Sequence, residues 1–147
     1  MAEKEQKHVI VIGGGLAGLS ATMKLAEEGC HVTLVAVTKV KRSHSVCAQG
    51  GINAAINSIG ENDSPLIHAY DTIKGGDFLA NQPPILEMCM AAPKIIHMLD
   101  RFGCPFNRTP EGFLDFRRFG GTLYNRTAFC GASTGQQLLY SLDEQVR

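Results

Sequence analysis

The chain has no net charge, no long apolar run and no paired-cysteine motif, and each absence removes a class of function. Lys and Arg number 14 against 14 Asp and Glu, a formal charge of zero, so nucleic acid or an anionic membrane surface would meet no broad attractive field. Nucleic acid is not expected as a partner. No stretch approaches the roughly 18–20 apolar residues of a membrane span, and the opening Met1 to Lys7 is charged rather than apolar. A soluble, cytoplasmic chain is expected. The five cysteines, Cys30, Cys47, Cys89, Cys104 and Cys130, are odd in number and include no C-x-x-C pair. That argues against a disulfide framework and against a structural zinc site; thiols in a reducing compartment, and no metal, are the expectation. No internal repeat is evident, and 147 residues suit one compact domain.

Glycine, by contrast, is abundant: 16 residues, above the roughly 7% of average usage, and several fall in tight clusters. Clustered glycine suggests backbone packed closely against a ligand. His8 to Ile12 is an apolar, β-branched run of the kind found in a buried parallel strand, and it leads straight into Gly13-Gly14-Gly15. Helical periodicity follows, with Leu16, Leu19, Met23 and Leu25-Ala26 as the apolar stripe and Gly29 as the stop. His31 to Val37 is a second β-rich run. Strand, glycine turn, helix, strand is a βαβ unit with a right-handed crossover.

Beyond it, Lys39 to Asp63 is rich in Gly, Asn, Ser and Gln and has no clear period, the signature of a functional loop. Ser64-Pro65 predicts a helix start, with the helix running toward Lys74 and ending at Gly75-Gly76. Pro84 sits where another helix starts, and Pro93 is expected to break or restart it before the apolar face Ile95, Ile96, Leu99, Phe102 ends at Gly103. Thr134-Gly135-Gln136-Gln137 resembles a capping box opening a helix through Leu138, Leu139, Leu142 and Val146. That helix has no stop signal before Arg147, which reads as a cut fragment.

Gly13, Gly15 and Gly18 fit G-x-G-x-x-G between a strand and a helix, the context in which the pattern carries a mechanism. The first glycine allows the turn, the second lets a pyrophosphate reach the backbone, and the third lets helix and strand pack closely; Gly14 and Ala17 complete the phosphate-facing turn. The helix N-terminus supplies N–H donors to the phosphates. The second strand ends in Val35-Ala36-Val37, without the usual acidic residue for the ribose hydroxyls, so that contact comes from elsewhere. Lys39 and Lys41 nearby would suit a 2′-phosphate and NADP, or are simply solvated.

The segment Arg42-Ser43-His44-Ser45-Val46-Cys47-Ala48-Gln49-Gly50-Gly51-Ile52-Asn53-Ala54-Ala55 resembles the flavinylation loop of the succinate dehydrogenase and fumarate reductase flavoproteins. The resemblance continues through Asp71 to Leu79, Phe106 to Gly112, and Phe116 to Thr122 with Arg126-Thr127, so it covers nearly the whole chain. It implies that His44 bonds covalently to the 8α-methyl of FAD, a step that needs a neutral imidazole as nucleophile. Lys39, Arg42, Ser43 and Ser45 fall with it in the cofactor-binding set. Gln49, Gly50 and Gly51 either bring backbone N–H groups and an amide side chain to the flavin or form an ordinary turn. Cys47 is expected as a small buried filler. Phe119, in the F-G-G turn, matches the aromatic residue close to the dicarboxylate. Arg117, Arg118 and Arg126 have guanidinium groups that suit carboxylates, but structural pairing is expected for them, because the resemblance places the substrate arginines later. Thr134-Gly135 either helps hold the cofactor or caps the helix.

The implied fold class is α/β: a Rossmann-like FAD-binding domain with a parallel sheet, residues 1–147 being its N-terminal part, with the capping domain and later segments absent. The implied activity is interconversion of succinate and fumarate, with electrons leaving through an iron–sulfur subunit to a quinone beside membrane anchor subunits, on the cytoplasmic side of the cell membrane. L-aspartate oxidase is the nearest enzyme rival; it shares an A-Q-G-G-I segment but lacks the linking histidine. A non-catalytic, truncated FAD-binding piece and a plain NAD(P)-dependent dehydrogenase are the other two readings.

Overall fold

The computed structural model describes residues 6–147; the first five residues of the charged opening lie outside the described residues. Along the chain run β1 (His8–Ile12), α1 (Leu16–Glu27), β2 (His31–Val35), two 3-10 turns (Val40–Arg42 and His44–Cys47), β3 (Ile52–Asn53), α2 (Pro65–Gly75), α3 (Gln82–Arg101), β4 (Phe116–Arg117), β5 (Thr127–Ala128) and α4 (Thr134–Val146). The chain divides into two compact units, one formed by the chain up to Ala48 with Gly135–Arg147, the other by Gln49–Thr134. No helix among the described residues is long and apolar enough to cross a membrane.

In the first unit β1 and β2 pair in parallel, His8 opposite His31 through Ile12 opposite Val35, as the βαβ pattern predicts. Gly13 N–H donates to Val35 C=O at 2.8 Å, which carries the pairing one residue into the turn. Helix α1 stops at the predicted place: Gly29 adopts φ 82° and its N–H donates to Ala26 C=O. The expectation of a buried strand holds for one face only. Val9 and Val11 are half-buried, whereas Ile10 and Val35 are exposed and Ile12 is 86% exposed. A parallel sheet normally carries cover on both faces; two strands and one crossover helix cover one.

In the second unit α2 and α3 pack together. Ser64 caps α2 as its sequence predicts, its Oγ accepting from Ile67 N–H at 3.2 Å, with Pro65 at the first helical position. Helix α3 corrects the expected break. It runs 20 residues without interruption from Gln82, with Pro93 inside. Pro93 forfeits a backbone hydrogen bond, about 3 kcal/mol in a helix interior. Cys89, Ala92, Ile96 and Leu99 nonetheless form one continuous buried face across it, and burying that face at about 1.5–3 kcal/mol for each large side chain offsets the loss. A small antiparallel sheet of order β3-β5-β4 is the other addition to the predicted fold.

This unit closes around a charge. Arg126 is fully buried, and its Nη2 lies 2.8 Å from Asp63 Oδ1 and 2.9 Å from Asp71 Oδ2, with the guanidinium 5.0 Å from the Tyr124 ring. Nearby His68 is buried, and burial, reinforced by the Arg126 charge, lowers its pKa. The expected structural pairing of the arginines is observed: Arg118 pairs with Glu61 at 3.3 Å, and Arg117 donates to Gly50 C=O at 2.8 Å.

Replacing Arg126 by Met should destabilise the second unit by about 3–5 kcal/mol, since it strands the buried Asp63 carboxylate. Adding Asp63→Leu should recover part of that loss. Urea unfolding of the two variants checks both; equal stability of Arg126→Met and wild type would contradict the assignment.

Candidate cofactor site

The glycine turn is built by close approach. A Cβ on Gly18 would fall inside the Gly13 carbonyl group, 2.9 Å from its carbon, so α1 can start this close to β1 only with glycine there. Gly14 is buried, and its Cβ would meet Val40 Cγ2 at 3.0 Å and Ala36 Cβ at 3.1 Å. Gly15 is the N-cap of α1 and offers no side chain to the first turn, which carries no acidic residue. Of the first-turn donors, Leu16 N–H reaches Ser45 Oγ at 3.3 Å. Ala17 is exposed in the same turn, and the N–H groups of a first turn have no intrahelical acceptor. The positive end of α1 is therefore open to an anion.

The segment after β2 folds back onto this turn. Lys39 and Arg42 are exposed and bracket the first 3-10 turn, where Ser43 N–H donates to Val40 C=O at 2.9 Å. Ser43 Oγ is buried and has no hydrogen-bond partner. His44 opens the second 3-10 turn and is exposed, and its side chain has no hydrogen bond or ion pair among the described residues. Cys47 is exposed, which corrects the expectation of a buried filler: it sits on the outer side of a tight turn, away from any core.

Helix α4 supplies the other support. Gly135 N–H donates to Ala48 C=O at 2.7 Å, and a Cβ on Gly135 would overlap Ser45 C=O and stand 2.7 Å from Ala48 Cβ. The capping-box expectation is corrected as well. The helix already includes Thr134, whose Oγ1 accepts from Cys130 N–H at 3.0 Å instead of closing the N-terminus. Gly135 is a positioning residue that the sequence reading assigned only to a cap or to the cofactor; its signal was glycine in the first turn of an otherwise good helix. On the far side, Lys41 bridges to Asp143 at 3.6 Å and Glu144 at 3.3 Å, which ties the loop to α4. Lys41 is thus ion-paired within the first unit rather than simply solvated.

In the second unit, Gln49 and Gly51 are exposed, and Gly50 lies under an aromatic ring: its Cβ would stand 2.5 Å from Phe119 Cε1. The Arg117 guanidinium lies 4.3 Å from the Phe129 ring and 5.3 Å from the Phe119 ring. A cavity of about 360 Å³ is lined by Gln49, Gly50, Arg117, Phe119, Gly131 and Ala132. Phe119 is 51% exposed. No group of three or more His, Cys, Asp and Glu able to hold a metal occurs among the described residues.

An open helix N-terminus behind a glycine turn, a bare glycine N-cap and an orphaned buried hydroxyl define a dinucleotide-binding α/β protein. The family described as FAD binding domain matches residues 8–147, and the chain belongs to it. It is 69% identical over 142 residues to the succinate dehydrogenase flavoprotein subunit of Bacillus subtilis, covering 97% of this chain and 24% of that protein. It is 41% identical over 143 residues to the fumarate reductase flavoprotein subunit of Mycobacterium tuberculosis, covering 96% and 24%. Among solved structures, the Mycobacterium smegmatis Sdh1 complex in the apo form superposes with a TM-score of 0.90 at 35% identity, covering 97% of this chain and 24% of that one. A quinol-fumarate reductase with menaquinol molecules gives 0.85 at 31%, covering 97% and 25%. The chain thus spans about a quarter of the length of these relatives.

Gly18→Ala should destabilise the first unit by about 3 kcal/mol or more, because the obstruction is backbone and cannot rotate away. Gly75→Ala, at a site with nothing within 4 Å, should change stability by no more than about 0.5 kcal/mol. Parallel thermal unfolding of the two variants checks the contrast; equal effects would contradict it.

Proposed function

We propose that the chain is the FAD-holding segment of a flavoprotein subunit that interconverts succinate and fumarate and passes electrons through an iron–sulfur subunit to a membrane quinone. The observation that carries the reading is the seating of the Ser43–Cys47 turn against the first turn of α1 through Ser45 and Leu16. It brings the histidine segment and the phosphate-binding turn together within one unit. The kinship to succinate dehydrogenase and fumarate reductase flavoprotein subunits supports it.

In this reading Gly13, Gly14, Gly15, Ala17 and Gly18 receive the pyrophosphate, with Lys39, Arg42 and the Ser43 hydroxyl as further contacts. His44 is the proposed covalent anchor to the 8α-methyl carbon: exposed and unencumbered, its ring nitrogens are available as nucleophiles. The bound flavin supplies the hydride acceptor. Gln49, Gly50 and Gly51 are proposed to face its polar edge, and Phe119 to touch the dicarboxylate. Arg117 is proposed to shape that wall rather than clamp substrate, since its guanidinium is already engaged by Gly50 C=O. His44 favours this reading over an L-aspartate oxidase. The iron–sulfur and anchor subunits, and a peripheral place on the cytoplasmic side of the membrane, belong to the proposal for the whole subunit.

Taken alone, the 147 residues are proposed to be a partial cofactor shell without turnover. The exposed apolar face of the β1–β2 sheet, with Ile12 at 86% exposure, favours this: a sheet face this apolar calls for cover.

The test is succinate-dependent reduction of an artificial dye by the full-length subunit in its complex. Activity is expected there and not in the 147-residue chain, and Phe119→Ala should raise KM for succinate several-fold with little change in kcat. Nicotinamide-dependent reduction without a response to succinate would overturn the proposal.

A further inference from the structure

We propose that Cys104 and Cys130 are a reversible, peroxide-oxidisable thiol pair that forms an intramolecular disulfide within the second unit. Their Sγ atoms lie 3.6 Å apart, and the residues are 2% and 6% exposed. None of the other three cysteines faces another thiol in this way: Cys89 approaches the Thr72 hydroxyl, Cys30 is half-buried and Cys47 is exposed. With no third ligand in reach of the pair among the described residues, a metal site is not the explanation.

The approach is fixed by backbone. Cys104 N–H donates to Leu99 C=O at 3.0 Å, just past the end of α3, and Cys130 N–H donates to Thr134 Oγ1 at 3.0 Å. The two segments are then tied to each other, by Asn107 N–H to Phe129 C=O at 2.8 Å and by Gly131 N–H to Asn107 Oδ1 at 2.8 Å. These bonds hold both Cα positions while the sulfurs remain able to turn about χ1. Closing the gap to a bond of about 2.05 Å needs a sulfur displacement of about 1.5 Å, within the reach of side-chain rotation.

The chemistry follows from the environment. The Cys104 thiol, within hydrogen-bond reach of Cys130, lowers the Cys130 pKa against the opposing effect of burial, which favours the nucleophilic thiolate there. Cys130 is also the more accessible of the two, and it precedes exposed Gly131 and Ala132. Hydrogen peroxide, a water-sized oxidant, is attacked by the Cys130 thiolate; the O–O bond breaks, hydroxide leaves and a sulfenic acid forms. Cys104 then gives up its proton and its sulfur attacks the sulfenic sulfur, expelling a second hydroxide that is neutralised to water. Two thiols and one peroxide give one disulfide and two waters, the two electrons passing from the sulfur pair to the peroxide oxygens. Exchange with a small dithiol restores the pair.

The position gives the modification a consequence. Residues 131 and 132 line the cavity shared with Gln49, Gly50 and Phe119. A bridge at Cys130 therefore fixes one wall of that cavity.

The experiment exposes the native protein to one equivalent of hydrogen peroxide, then alkylates and digests it with trypsin without reduction. The expected result is a disulfide-linked pair of peptides, Phe102–Arg108 with Thr127–Arg147. Thiols titrated in denaturant should fall by two, and dithiothreitol should restore them. An unchanged thiol count, or oxidation confined to Cys47 with no linked peptide, would overturn the proposal. In Cys104→Ser, peroxide with dimedone should label Cys130; label on Cys47 alone would contradict it. The wild-type peptide map decides the question even if the variant does not fold.

Discussion

The absence of a Cβ at two points in the first unit is the constraint on which the candidate site depends. Gly18 lets α1 begin against the carbonyl of Gly13, and Gly135 lets α4 begin against the turn that carries Ser45 and Ala48. Between these two contacts, the phosphate-binding turn and the histidine segment are held by backbone atoms, with little left to side-chain rotamers. Ser45 then serves both sides, its Oγ taking Leu16 N–H and its carbonyl lying under Gly135. A site built this way is preorganised, because neither the dipole of α1 nor the 3-10 turn of His44 needs to reorder when an anion arrives.

The second unit is stabilised differently. Its two-residue strands contribute few ladder hydrogen bonds, and the fully buried Arg126 with Asp63 and Asp71 joins the loop before α2, α2 itself and the start of β5. Such a network contributes more to a unique arrangement than to net stability, since desolvation takes back much of the attraction. Asn125 reinforces the same corner by donating to both oxygens of Glu61 at 2.7 and 2.9 Å, with the backbone N–H foremost in lowering the Glu61 pKa.

The sequence made some of this legible and hid the rest for physical reasons. The βαβ unit could be read because glycine spacing and hydrophobic period agree, and the start of α2 because Ser64-Pro65 is a local signal that local hydrogen bonding satisfies. Helix α3 could not be read through Pro93, because a continuous buried face across the proline is a tertiary effect. Strands β3, β4 and β5, at two residues each, are too short to carry a period. Arg126 and Asp63 lie 63 positions apart in sequence, so pairing of the arginine could be anticipated but not its partner. Thr134 looks like a cap from its spacing to Gln137 and instead accepts from Cys130 N–H, a donor upstream of the helix that the forward-reading capping-box pattern leaves out.

The central claim is that His44 sits in a flavin-holding turn and anchors the cofactor covalently. The most direct test is acid precipitation of the full-length polypeptide from its native source, followed by tryptic digestion and detection of flavin fluorescence on the separated peptides. The account predicts fluorescence and the mass of one FAD-derived group on the peptide Ser43–Lys74, mapped to His44. Flavin recovered entirely in the supernatant, with that peptide at its unmodified mass, would contradict it.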